Sequence, residues 1–285
     1  MKLKLVEQLN NSNDYNINED MSIMEEIFGV STDELFRLVG ISSIESKESL
    51  DKLYDYCYNN GLYINDIKWQ EYRELFNNSS KQILCHGSRN GIHGPIRLNA
   101  SGESNDFGNG FYVGETLKQA GIFVSEDIDS SIYLMLFNPK NLSYIKFKVD
   151  NNWMLAVAYY RKTLGKYANS IKVQRIIDRV SKVDYVIAPI ADNRMFELID
   201  AFTSGELTDK QTLYALSATH LGMQYVLKTE KALDKIEILD RCYLCPVERS
   251  IYNRQSDIES NTSLHKAFLS KIKYKNEGKY IDELL

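Results

Sequence analysis

The spacing of hydrophobic positions changes near residue 80. Before it, Leu35, Leu38 and Val39, then Leu50, Leu53, Tyr54 and Cys57, then Ile67, Trp69, Tyr72 and Phe76 recur at helical intervals, which predicts short amphipathic helices. Ser31-Thr32-Asp33-Glu34 has the form of a capping box, so one helix is expected near 32–40. Asn59-Asn60-Gly61 stops the next. Residues 1–77 read as all-helical, and Asn77-Asn78-Ser79-Ser80 reads as the loop that closes them.

Beyond that loop the pattern is mixed. Strands are expected at Gln82 to Cys85, Gly110 to Val113, Ile132 to Phe137, Tyr144 to Val149, Tyr185 to Ile190, Gln224 to Leu227 and Ile236 to Leu244. Helices are expected at Glu115 to Val124, Trp153 to Tyr167, Ile171 to Val180, Arg194 to Phe202 and Asp209 to Leu216. Residues 264–281 read as a lysine-rich helix or tail. Strands without regular β-α alternation argue for an α+β fold. The expected division is a helical region at 1–78, a main domain at 81–247 and an extension at 248–285.

Charge sharpens this division. Residues 1–80 carry 7 Lys/Arg against 15 Asp/Glu, a balance of -8, whereas the whole chain stands at -5. An acidic helical lobe repels phosphates, so it is expected to dock a protein partner or to regulate, and not to read DNA. The first residues, Met1 to Glu7, show no signal peptide, and the apolar stretch Trp153 to Tyr160 is too short to span a bilayer. A cytoplasmic protein with no membrane association is expected. Four cysteines without an export signal are expected to be free thiols. Cys242 and Cys245 form a CxxC with no second pair nearby, so no metal site is expected.

Two segments carry candidate chemistry. Ile83-Leu84-Cys85-His86-Gly87-Ser88-Arg89 is an apolar strand ending in polar residues, where a glycine backbone can approach a flat ligand and His86 and Ser88 offer hydrogen bonds. The same residues also suit a plain strand end. Ser104-Asn105-Asp106-Phe107-Gly108-Asn109-Gly110-Phe111-Tyr112-Val113 is a glycine-punctuated loop entering an aromatic strand, and it lacks the βαβ context of a dinucleotide-binding Rossmann motif. Tyr112 and Phe123 could hold a planar cationic ring or serve as core. A Cys85-His86 nucleophilic pair is disfavoured because neighbours on a strand point to opposite faces. His93, His220 and His265 lack partners at ligand spacing.

These segments resemble the ADP-ribosyltransferase superfamily, in particular the His-Tyr-Glu branch of the poly-ADP-ribose polymerases and diphtheria toxin. His86-Gly87-Ser88 is similar to its first-strand signature, Gly110-Phe111-Tyr112-Val113 to its Gly-x-Tyr-Phe step, and Phe123 to its second stacking aromatic. The chain looks closer still to an uncharacterised bacterial family carrying His-Gly-Ser, Asp-Phe-Gly-x-Gly-Phe-Tyr and Tyr-x-Val-Ile-x-Pro-Ile-Ala-Asp. The last is Tyr185-Val186-Ile187-Ala188-Pro189-Ile190-Ala191-Asp192 here, and the likeness covers about residues 81–245. The resemblance implies a split β-sheet core that binds NAD as substrate, with His86, Tyr112 and Gln224 at the catalytic positions. It also implies that Gly87, Ser88, Arg89, Asp106, Phe107, Gly110, Phe111 and Phe123 contact NAD.

One residue departs from the pattern. Where the superfamily has glutamate, this chain has Gln224, which can orient a ribose hydroxyl but cannot offset the positive charge that builds on the ribose as the glycosidic bond breaks. Asp106 and Glu230 are the acids within these motifs. The resemblance implies transfer of ADP-ribose to a protein or nucleic-acid acceptor, with a role in toxin-antitoxin modules or phage defence. The alternative expectation is a catalytically impaired NAD or nucleotide sensor whose acidic lobe docks a partner.

Overall fold

A computed structural model describes residues 15–191, 193–217, 222–275 and 277–285. The Met1 to Glu7 segment and His220 lie outside them. In chain order the elements are α1 (Ile17–Phe28), α2 (Thr32–Val39), α3 (Lys47–Asn59), α4 (Ile64–Phe76), β1 (Gln82–Ser88), β2 (Phe111–Gly114), α5 (Leu117–Val124), β3 (Ser131–Phe137) and β4 (Tyr144–Lys146). There follow α6 (Asn151–Tyr160), α7 (Ile171–Ser181), β5 (Tyr185–Pro189), α8 (Asn193–Thr203), α9 (Asp209–Leu216), β6 (Met223–Leu227), α10 (Glu230–Leu233), β7 (Ile236–Tyr243), α11 (Pro246–Lys273) and α12 (Ile281–Leu284). The fold is α+β, with a helical N-terminal region followed by a mixture of strands and helices.

The chain divides into two compact units. One comprises residues 1–94, 116–138 and 236–255, and the other 95–115, 139–235 and 256–285. In the first, β3 pairs antiparallel with both β1 and β7. The N-terminal helices share this unit's core. Ile23, Met24, Leu35, Leu53, Tyr54 and Cys57 pack in one cluster with Tyr243 and Cys245. Ser31 caps α2 by accepting the Glu34 N–H. A buried ion triad ties the helices to the sheet: Lys68 on α4 reaches Asp20 on α1 at 2.9 Å and Asp240 on β7 at 2.8 Å, and the Tyr54 hydroxyl also donates to Asp20. All four cysteines are buried free thiols, and burial pushes the Cys57 thiol up to about 12.

In the second unit β6 lies between β2 and β5, antiparallel to each, and β4 runs parallel to β5. Its core forms around α6, where Trp153, Met154, Leu155, Ala156, Val157 and Ala158 are all buried. A helix apolar around its whole circumference belongs inside a protein core, and no described helix is long and apolar enough to cross a membrane.

The strand expected to reach Val149 ends at Lys146, the helix expected from Glu115 starts at Leu117, and two longer helices are corrected further. The helix expected to reach Tyr167 stops at Tyr160, because Lys162 enters a left-handed conformation at φ 64°, which a helix interior excludes. The lysine-rich helix expected from 264 begins at Pro246; proline suits a first helical position, where its missing N–H costs nothing.

Candidate functional site

The predicted site residues divide between the units. His86, Gly87, Ser88, Arg89 and Phe123 belong to the first; Asp106, Phe107, Gly110, Phe111, Tyr112 and Gln224 belong to the second.

In the first unit His86 to Ser88 close β1, and the His86 ring lies 6.5 Å from that of Tyr133 on β3. Gly87 is required by packing: a Cβ there would lie 2.6 Å from the Ala120 carbonyl oxygen and 2.9 Å from Val124. The missing side chain therefore admits α5, a reason for this glycine that the motif does not reveal. Phe123 is 62% exposed. The Arg89 guanidinium sits 5.3 Å from its ring centroid and Arg89 also pairs with Asp127 at 3.3 Å, so Arg89 and Phe123 present one cation-aromatic surface.

In the second unit the loop before β2 is held from three sides. The Phe107 N–H donates to the Tyr112 hydroxyl at 3.1 Å, which donates to the Gly108 carbonyl at 2.7 Å; burial pushes the Tyr112 phenol well above its ordinary range. Lys228, just past β6, donates to the Phe107 and Asn109 carbonyls at 2.5 Å each. Desolvation pulls Lys228 down to about 8. A Cβ at Gly110 would lie 2.8 Å from the Leu227 carbonyl oxygen, so the loop lies flat on β6. The Phe107 ring is wholly buried against Phe147 and Tyr160, and Phe111 is buried at 5% exposure. Both rings are committed to packing.

Asp106 is the hub of this unit. Its carboxylate, 5% exposed, receives Arg161 through Nε at 2.8 Å and a terminal nitrogen at 2.6 Å, the Ala191 N–H at 2.9 Å and the Gln224 side-chain amide at 2.7 Å. Arg161 also donates to the Ala191 carbonyl at 2.6 Å, and its guanidinium lies 4.4 Å from the Phe196 ring centroid. The Gln224 amide nitrogen has a second acceptor, the Pro189 carbonyl, at 3.1 Å.

With a carboxylate and a carbonyl on one side, only the nitrogen end of Gln224 can face them. The amide orientation is therefore set by chemistry, and its oxygen is left without a protein partner among the described residues. A glutamate at 224 would meet the Asp106 carboxylate and the Pro189 carbonyl, and like charges so close cannot both ionise readily. The glutamine is thus matched to Asp106. Glu230, the other acid of the motifs, is exposed at the start of α10.

Sequence reasoning missed Arg161 and Lys228. The predicted helix places Arg161 in its interior, whereas it caps the C-terminus of α6 and turns back to Asp106, 55 residues away. No local pattern signals that pairing. Among the described residues no group of three or more His, Cys, Asp or Glu side chains is placed to hold a metal ion.

A family model described as a protein of unknown function (DUF3990) matches residues 82–238. No curated protein and no solved structure matches the chain. The matched span runs from β1 into β7, takes in both glycine-bearing segments and Gln224, and covers more than half of the sequence. This chain belongs to the DUF3990 family.

Proposed function

We propose that this chain is an NAD-dependent ADP-ribosyltransferase that moves ADP-ribose from NAD to a macromolecular acceptor. The observation carrying the proposal is the clamp on Gln224: Asp106 and Pro189 hold its nitrogen and leave its oxygen to accept a hydrogen bond. A ribose hydroxyl is such a donor. It is the group that the resembling superfamily orients from this strand position. Support also comes from the signature residues of the first unit, where His86 and Ser88 close β1 and Phe123 is exposed.

In the transfer, the bond between nicotinamide and the anomeric carbon breaks and its electron pair leaves with nicotinamide. The acceptor nucleophile bonds to that carbon and gives up its proton. Because Arg161 neutralises Asp106, the cluster supplies orientation rather than a free negative charge, and positioning must carry the rate.

The direct experiment is incubation with labelled NAD, with and without cell lysate, scoring released nicotinamide and labelled macromolecule. Release and labelling are expected, with at least roughly a tenfold loss in Gln224→Ala. A growth defect on expression in a bacterial host, relieved by the same variant, is expected of a toxin or defence component. A second reading is favoured by the neutralised Asp106: an NAD sensor without catalysis. NAD binding by calorimetry with no nicotinamide release under any condition would establish the sensor and end the transferase proposal.

A further inference from the structure

The second unit carries a concentration of positive charge that the Gln224 cluster does not use. Residues 139–183 contain ten Lys/Arg and two Asp. Of these cations, Arg161 is committed to Asp106, Lys162 pairs with Glu103, and Lys182 with Asp178. Those on α7 remain. Lys172, Arg175 and Arg179 sit three and four residues apart, a spacing that aligns side chains along one helical face. The adjoining face buries Val173, Ile176 and Val180.

The three cations line a groove of about 420 Å³ together with Asn152, Ile171, Ile176 and Leu285, and no Asp or Glu side chain is among its lining residues. Lys172 is anchored by donating to the Leu284 carbonyl at 3.3 Å. Arg175 and Arg179 are exposed and have no ion-pair partner among the described residues. Five residues before Ile171 in the sequence, Lys166 lies 4.9 Å from the Tyr167 ring centroid. Two unneutralised guanidiniums over a concave surface form a complement to a chain of anions, and a guanidinium's planar fork matches phosphate oxygens in pairs.

We infer that this groove binds the phosphodiester backbone of a nucleic acid. The inference deepens the proposed function by naming the acceptor class, and it rests on that reading for the acceptor role alone; binding itself requires neither NAD nor Gln224. A nucleic acid is favoured over a small anion because the two guanidiniums lie one helical turn apart along an open groove, and the sequence that carries them holds four further lysines, Lys140, Lys146, Lys148 and Lys166. The same surface gives the chain an anion-attracting region despite its acidic net charge, since the negative excess is concentrated in residues 1–80.

The test is fluorescence anisotropy of a labelled short oligonucleotide, single-stranded and duplex, titrated with the full chain at increasing salt. Salt-sensitive binding of at least one probe is expected. Arg175→Glu with Arg179→Glu should weaken it by roughly tenfold or more and flatten the salt slope by about 2, while the paired Arg→Lys changes retain most of it. Circular dichroism separates lost binding from lost folding, and the Arg→Lys pair gives a second comparison if the reversal unfolds the chain. No binding of either probe at low salt, binding indifferent to the charge reversal, or equally tight binding of polyglutamate would overturn the inference. Because nicotinamide release is scored without an oligonucleotide and anisotropy without NAD, failure of the groove and failure of the transferase reading are distinguishable.

Discussion

Two carboxylate-cation clusters use similar chemistry for different ends. In the first unit Lys68 is wholly buried between Asp20 and Asp240, whose side chains are 1% and 3% exposed. In the second, Arg161 meets Asp106 while its own side chain stays 17% exposed, and Gln224 joins with an unclaimed oxygen. The sealed triad joins α1, α4 and β7. Burial alone would lower Lys68, but its two carboxylates win and hold it well above its ordinary value; burial pushes Asp240 up. The more open cluster keeps a polar atom for further bonding. The difference in solvent access lies in the cation, since Asp106 and Gln224 are buried like Asp20 and Asp240 while Arg161 is partly exposed and Lys68 is not.

The strongest way to break this comparison is to remove the cation from the sealed triad. Lys68→Met leaves two buried carboxylates, and urea unfolding should show a loss of about 3–5 kcal/mol. A loss no larger than that of an exposed lysine would mean the triad is not sealed.

A second probe of the sealed unit is pH. Glu248 is held by Asn65 and Tyr252, and burial, with a smaller contribution from Asp66, pushes it from 4.5 to about 8. Between those values the folded state binds more protons than the unfolded one, so this group makes stability fall as pH rises, by up to about 1.4 kcal/mol per pH unit. Glu248→Gln should remove that slope in unfolding curves measured across the window. An unchanged slope would show that Glu248 titrates normally.

The open cluster should respond less in stability and more in activity. Arg161→Met leaves Asp106 with its two amide donors, and a loss of about 1–3 kcal/mol is expected, together with loss of NAD-dependent nicotinamide release. Full activity in a folded Arg161→Met protein would remove the cluster from the proposed chemistry.

The smallest effect is expected at Lys228. Its folded value lies below its ordinary 10.5, at about 8; between the two the unfolded state binds more protons, so this group makes stability rise with pH. Lys228→Met should abolish that rise in thermal melts taken on either side of the window. It should also loosen the loop holding Asp106, read as faster amide exchange at Phe107 and Asn109.

The sequence by itself determined the α+β class, the seven strand positions, most helices and the two glycine-bearing segments. These rest on local periodicity and turn chemistry, which neighbouring residues express whatever the rest of the chain does. Only the tertiary structure decided that Asp106 pairs with Arg161, that Gln224 is turned by Asp106 across 118 residues, that Gly87 makes room for α5, and that the N-terminal helices share a core with β7. Such pairings form when distant segments are desolvated together, and side-chain spacing along the chain holds no record of which donor will meet which acceptor.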